Sequence, residues 1–365
     1  MLNYSDVSST ARSKVIYPVM RLRLDTKMIA KIFAIISLIP FHAIVARNSI
    51  SIKRGKKHEI ETNRPIIGVL AQSPVGMPFE KLGQSYIGAS YIKYLESSGA
   101  RVVPIMKELT EEEVEKLLLS INGVLFPGGD VNVTSSDYAK TGRKIFNFAK
   151  KLNDNGDYFP LWGTCLGFQF LSFLVSGTDQ VLSQTDSQNL SLPLNFSSDY
   201  LNSTMFRDIS KDLGNFLGSA ATTFNAHDWS VTTTSFAQNE KLKDFFSILS
   251  TNSDRNGIKF VSTIEAKRYP FYGSQWHPEK NPFEWTLKEN IPHEAKSIKV
   301  TQYMSNFFVN EARYSKHKFN TTEEEHSALI YNYCPVYTGD ISNFEQCYMF
   351  KNSLQNDKTI VVIDA

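Results

Sequence analysis

A chain of 365 residues with 42% hydrophobic residues and only 14 prolines carries enough apolar surface for one large core or two small ones, which excludes a disordered or low-complexity polymer. Its 39 basic and 37 acidic residues leave a formal charge of +2 and give no basis for a nucleic-acid partner or an anionic surface. The ligand must be read from a site.

The N-terminal stretch differs from the rest. Arg21, Arg23, Lys27 and Lys31 precede or enter a short apolar run, "MIAKIFAIISLIPFHAIVA", with small residues at Ala43 and Ala46. This is the pattern of a secretory signal, and residues 1–46 are read as an N-terminal extension plus signal peptide. A membrane span takes roughly 20 apolar residues. This run is shorter and carries His42, so a signal anchor is the lesser alternative and no stable span is expected after cleavage. Met20 and Met28 are alternative starts. Residues 47–63 are polar and read as a linker or loose mature N-terminus.

From "PIIGVLAQ" onward, strands and helices alternate. That run is the first strand; Tyr86 to Leu95 has helical spacing and stops at Gly99; "RVVPI" is the second strand. Thr110 followed by Glu113 forms a capping box for "EEEVEKLLLS", and "GVLF" is a strand ending at Pro127, Gly128 and Gly129. Ile145, Phe148, Ala149 and Leu152 define a helix, "FPLW" the next strand, and "FQFLSFLVSG" a helix closed by Gly177. Repeated βαβ units predict an α/β fold with a mainly parallel central sheet flanked by helices on both faces.

The turn "GTCLG" between "FPLW" and its helix places Cys165 beyond the carboxyl end of a strand, where open parallel sheets carry their sites. A sharp strand-to-helix turn strains its central residue, and Gly163 and Gly167 give the neighbouring chain room. The helix N-terminus favours a thiolate there. The N–H of Leu166, with a second donor from Gly128 or Gly129, forms the expected oxyanion site. A buried, inert cysteine is the competing reading until a base is found.

Among the seven histidines, His277 ends the β-type run "RYPFYGSQWHPEK" and is the candidate base, with Glu279, two residues on in an extended chain, as its orienter. His227 in "FNAHDWS" is the other candidate, as orienter or substrate contact. His58, His293, His317 and His326 read as solvated surface residues, and no metal-ligand spacing emerges.

Sequons at Asn132, Asn189, Asn195, Asn202 and Asn320 predict surface glycosylation. Of three cysteines in an oxidising compartment, Cys334 and Cys347 are expected to pair, leaving Cys165 free.

"GTCLGFQ", "PGGD" and "GSQWHPEK" together resemble the class I glutamine amidotransferase-like superfamily. The longer stretches "YIGASYIKYLESSGARVVPI", "INGVLFPGGDVNV", "DYFPLWGTCLGFQFLS" and "YPFYGSQWHPEKNPFEW" resemble the γ-glutamyl hydrolases, in order, from about Arg64 to the C-terminal end. The resemblance implies a flavodoxin-like three-layer catalytic domain over residues 64–315, with residues 316–365 packing on it. It implies cysteine-dependent cleavage of γ-glutamyl bonds in folate and antifolate polyglutamates, without a cofactor, by a homodimer of the lysosome, vacuole or extracellular space. By position, Cys165 is the nucleophile, His277 the base and proton donor, and Glu279 the third triad member. Tyr86 and His227 match cleft-lining positions. Gln169 stands where some animal relatives carry an acid. Basic residues near the cleft are expected to hold the substrate carboxylates. Two alternatives stay open: a glutaminase-type amidotransferase or hydrolase of another γ-glutamyl amide, and a secreted binding protein that keeps the fold without the chemistry.

Overall fold

The computed structural model describes residues 59–351. The expected signal segment, most of the linker, His42 and His58 lie outside the described residues.

Hydrophobic strands alternate with amphipathic helices through the first half. β1 (Ile66–Leu70) is followed by β2 (Ser85–Gly88), α1 (Ala89–Glu96), β3 (Arg101–Ile105), α2 (Glu111–Leu118), β4 (Gly123–Phe126), α3 (Asp137–Asp154), β5 (Leu161–Thr164) and α4 (Leu166–Ser176). Thr110 and Glu113 close the capping box that starts α2. Gly177, at φ 78°, ends α4 in the left-handed conformation that favours glycine.

Short strands come next: β6 (Leu182–Gln184), β7 (Leu190–Leu192), β8 (Asn195–Phe196), β9 (Thr223–Asn225) and β10 (Trp229–Val231). Three longer ones, β11 (Phe246–Ser253), β12 (Lys259–Ala266) and β13 (Phe271–Ser274), precede the helix α5 (Ala295–Ala312) and the strands β14 (Pro335–Tyr337) and β15 (Gln346–Phe350).

The central sheet runs β3-β1-β4-β5-β13-β12-β11-β8. Its first five strands are mutually parallel, and β12, β11 and β8 extend it by antiparallel pairing. The fold is therefore α/β with a mainly parallel sheet. Side-chain alternation explains the layers. Ile66 and Leu70 of β1, with Val124 and Phe126 of β4, pack against Val114, Ile145 and Phe170 from α2, α3 and α4. Ile67, Val69 and Leu125 point the other way, against Ile92 of α1 and Val300, Met304 and Phe308 of α5. A strand buried on both faces leaves chemistry to its ends.

One segment departs from expectation. Residues 86–88, read as the start of a helix, belong to β2, because Ser85–Gly88 pairs with β15 over four registers and the helix begins only at Ala89. A pairing partner some 260 residues away overrides local helical spacing.

Candidate active site

β5 runs into α4 with Cys165 as the joint. Cys165 sits at φ 51° and ψ −104°, one of two described non-glycine residues with positive φ. Its N–H donates to Ser274 O on β13 at 2.8 Å, and its own carbonyl accepts from Gln169 N–H at 3.0 Å. The flanking glycines are sterically required. A Cβ at Gly167 would lie 2.0 Å from Phe126 O, and one at Gly163 would lie 2.5 Å from Gly167 O. Backbone strain held in place by surrounding structure is typical of functional turns.

β13 is hydrogen-bonded to β5, so the chain leaving it passes the same edge of the sheet. His277, three residues beyond β13, is 5% exposed and faces Cys165. Its Nδ1 lies 2.7 Å from Glu279 Oε1, which leaves Nε2 for the thiol side. Glu279 is fully buried. The expected extended run from His277 to Glu279 is corrected: Glu279 has helical dihedrals (φ −77°, ψ −20°) because the chain turns here into a short helix, Lys280–Phe283. The turn, not strand alternation, brings carboxylate and imidazole together. Burial disfavours the charged imidazole, yet the adjoining Glu279 and Cys165 side chains outweigh it and raise the His277 pKa above its ordinary value.

The two candidate oxyanion glycines separate. The Gly128 N–H donates to Tyr91 Oη at 2.8 Å and is thereby occupied. Gly129 and Leu166 line the cavity that contains Cys165. A Cβ at Gly128 would stand 2.8 Å from His277 Cε1 and 3.2 Å from Cys165 Cβ, so only glycine fits between base and nucleophile.

Sequence reasoning missed Tyr91 and Gln72. The Tyr91 hydroxyl also lies 3.4 Å from His277 Nδ1, and burial followed by the Glu279 charge pushes its phenol well above the ordinary value. Gln72 Nε2 donates to Gly128 O at 2.7 Å and so fixes the same turn. Gln72 lies just past the carboxyl end of β1, and a buried polar residue at that end of a parallel strand was the available signal.

His227 lines the cavity, but its nitrogens face inward to Asn225 Oδ1 and Ser230 Oγ, each at 3.1 Å. Asn225 Nδ2 is committed to the Leu190 and Thr223 carbonyls, so its oxygen faces His227 and Nε2 carries the proton. Burial and the neighbouring His277 push the His227 imidazole down to about 3, leaving it neutral. It is not the orienter; Glu279 holds that place. Tyr86 packs against Phe79, Phe344 and Cys347 rather than in the wall of the cavity around Cys165.

That cavity, of about 620 Å³, is bounded by the Gly129–Thr134 loop, the start of α4 and the 226–229 segment. The expected basic residues are absent from its described lining, which instead carries Asp130, Asp179 and Asp228.

Three further expectations are corrected or placed. Cys334 and Cys347 are free, as is Cys165. β14 pairs Val336 with Cys347, while Cys334, two residues before Val336, lies outside the strand and is exposed; Cys347 is buried. His317 is buried, not solvated, with its ring nitrogens on Leu118 O and Asp157 Oδ2. Asn132, Asn195, Asn202 and Asn320 are exposed and Asn189 half-buried. Among the described residues there is no cluster of potential metal ligands and no helix long and apolar enough to cross a membrane.

Comparison with known proteins agrees with the site. The Peptidase C26 family profile matches residues 65–279, a span that includes Cys165, His277 and Glu279. The chain is 47% identical to the human "Gamma-glutamyl hydrolase" over 82% of its own length and 94% of the relative's. It is 51% identical to the Bos taurus protein of that name, over 79% and 90%. "Gamma-glutamyl hydrolase B" of Dictyostelium discoideum is 43% identical over 81% and 86%. Among solved structures, the glutaminase domain of Trypanosoma brucei CTPS covers 70% of this chain and 98% of its own, with TM-score 0.45 and 16% identity. The chain belongs to the Peptidase C26 family, alongside the γ-glutamyl hydrolases.

Proposed function

We propose that the protein hydrolyses γ-glutamyl amide bonds in folate polyglutamates through a thioester on Cys165. The observation that carries this is the buried Cys165–His277–Glu279 constellation opening on one cavity, in a chain about half identical to proteins named γ-glutamyl hydrolase. The Cys165 thiolate attacks the γ-carbonyl carbon, and the carbonyl π pair moves to oxygen. That oxyanion is met by the N–H groups of Leu166 and Gly129. As the tetrahedral carbon collapses, the C–N bond breaks and protonated His277 gives its Nε2 proton to the departing amine of the next glutamate. Neutral His277 then removes a proton from water, whose oxygen attacks the thioester, and the carboxylic acid leaves with Cys165 restored. Glu279 on Nδ1 keeps Nε2 aimed at the sulfur throughout.

Acid-quenched mass spectrometry during turnover of a γ-glutamyl substrate is expected to show an acyl adduct on the peptide containing Cys165. Turnover with an adduct on another residue, or on none under conditions that stabilise thioesters, would remove Cys165 from this role.

A secretory or lysosomal setting is supported by the signal-like N-terminus and the exposed sequons. An endoglycosidase-insensitive mass for protein expressed in eukaryotic cells would count against it. The homodimer is carried by the family resemblance, and sedimentation at the monomer mass would exclude it.

A further inference from the structure

The indole of Trp229 is 52% exposed although it belongs to the wall of the cavity that contains Cys165. The backbone that carries it is held from several sides. β10 pairs Trp229 with Gln184 of β6. The Trp229 carbonyl accepts from Gln169 Nε2 at 2.6 Å, and Gln169 is buried one helical turn after Cys165, so α4 itself sets the offset between the Trp229 backbone and the nucleophile. Two residues earlier, His227 is locked by both ring nitrogens. The preceding residue, Ala226, presents its carbonyl 3.9 Å from Cys165 Sγ.

At the rim of a polar cavity a half-exposed indole offers a flat apolar face on which a substrate ring can stack. The same wall carries Asp130, Asp179 and Asp228 and no described Lys or Arg, so beside Trp229 it favours an uncharged ring over a further carboxylate beyond that of the reacting glutamate. In a pteroyl-γ-glutamate chain the aromatic end lies on the acyl side of every γ-glutamyl bond, whereas the leaving amine carries only glutamate.

We propose that Trp229 is a specificity residue whose indole stacks on the uncharged aromatic end of the acyl half of the substrate. This rests on the γ-glutamyl hydrolase reading of the site. The contact is ring on ring, with the π faces offset, so most of its effect falls on substrate binding.

The test compares pteroyl-di-γ-glutamate with γ-glutamyl-γ-glutamate, which has the scissile bond but no ring. Trp229→Ala is expected to lower the ratio of their kcat/KM values about three- to tenfold, mainly through KM for the pteroyl substrate, with Trp229→Phe recovering most of it. An unchanged ratio, whether both substrates are lost equally or neither is affected, overturns the role. A shift of Trp229→Ala from dimer to monomer on sedimentation, at constant ratio, also overturns it and assigns the indole to an interface. Wild-type cleavage of the ring-free substrate checks the γ-glutamyl reading separately.

Discussion

At the residue scale, the site depends on Glu279 more than on local sequence proximity. Its carboxylate reaches His277 Nδ1 through a turn. A carboxylate can only accept, so Nδ1 must carry the proton and Nε2 must face the sulfur. An amide in its place can rotate to donate, which allows the wrong tautomer. Glu279→Gln is therefore expected to lower kcat about 10²- to 10⁴-fold with little change in KM. Steady-state kinetics that retained kcat within threefold would show that His277 is oriented by other groups, Tyr91 first among them.

At the element scale, the C-terminal strands are tied to the catalytic region by a buried carboxyl. Glu284, at the end of the short helix after Glu279, is 1% exposed and accepts from Glu345 N–H at 2.6 Å. Lys280 and Glu279 face it from its own segment, Ser90 from α1, and Cys347 from β15. Burial pushes its carboxyl up to about 7 despite the opposing Lys280 charge. A carboxyl whose pKa is raised on folding binds its proton more tightly in the native state, so stability falls as pH rises from about 4.5 to about 7. Glu284→Gln keeps the acceptor and removes the titration. At pH 7.5 it is expected to exceed wild type by on the order of 3 kcal/mol, converging near pH 4.5. Urea melts at the two pH values check this; parallel curves for both proteins would place the pH dependence elsewhere.

At the scale of the whole molecule, the alternation of strand and helix was legible because parallel strands buried on both faces must be apolar, and "PIIGVLAQ", "RVVPI" and "GVLF" leave few alternatives. Cys165 was legible because two glycines flank it at a strand-to-helix turn. What was not legible depended on distant partners. β2 exists through its pairing with β15, and Gly128 is distinguished from Gly129 only by the hydroxyl of Tyr91. The acidic wall of the cavity assembles from Asp130, Asp179 and Asp228, which no spacing in the sequence relates. His317 read as solvated in its polar company, yet Leu118 and Asp157 bury it from elsewhere in the chain.

The central claim is that this fold brings one cysteine and its base to bear on γ-glutamyl bonds. Mass-resolved digestion of folate pentaglutamate at acidic pH, with wild type beside Cys165→Ala, tests it most directly. The account predicts shortened pteroylglutamates and released glutamate or oligo-γ-glutamate from wild type, and an intact substrate with a folded Cys165→Ala protein. Comparable digestion by both proteins, or by neither, would contradict it.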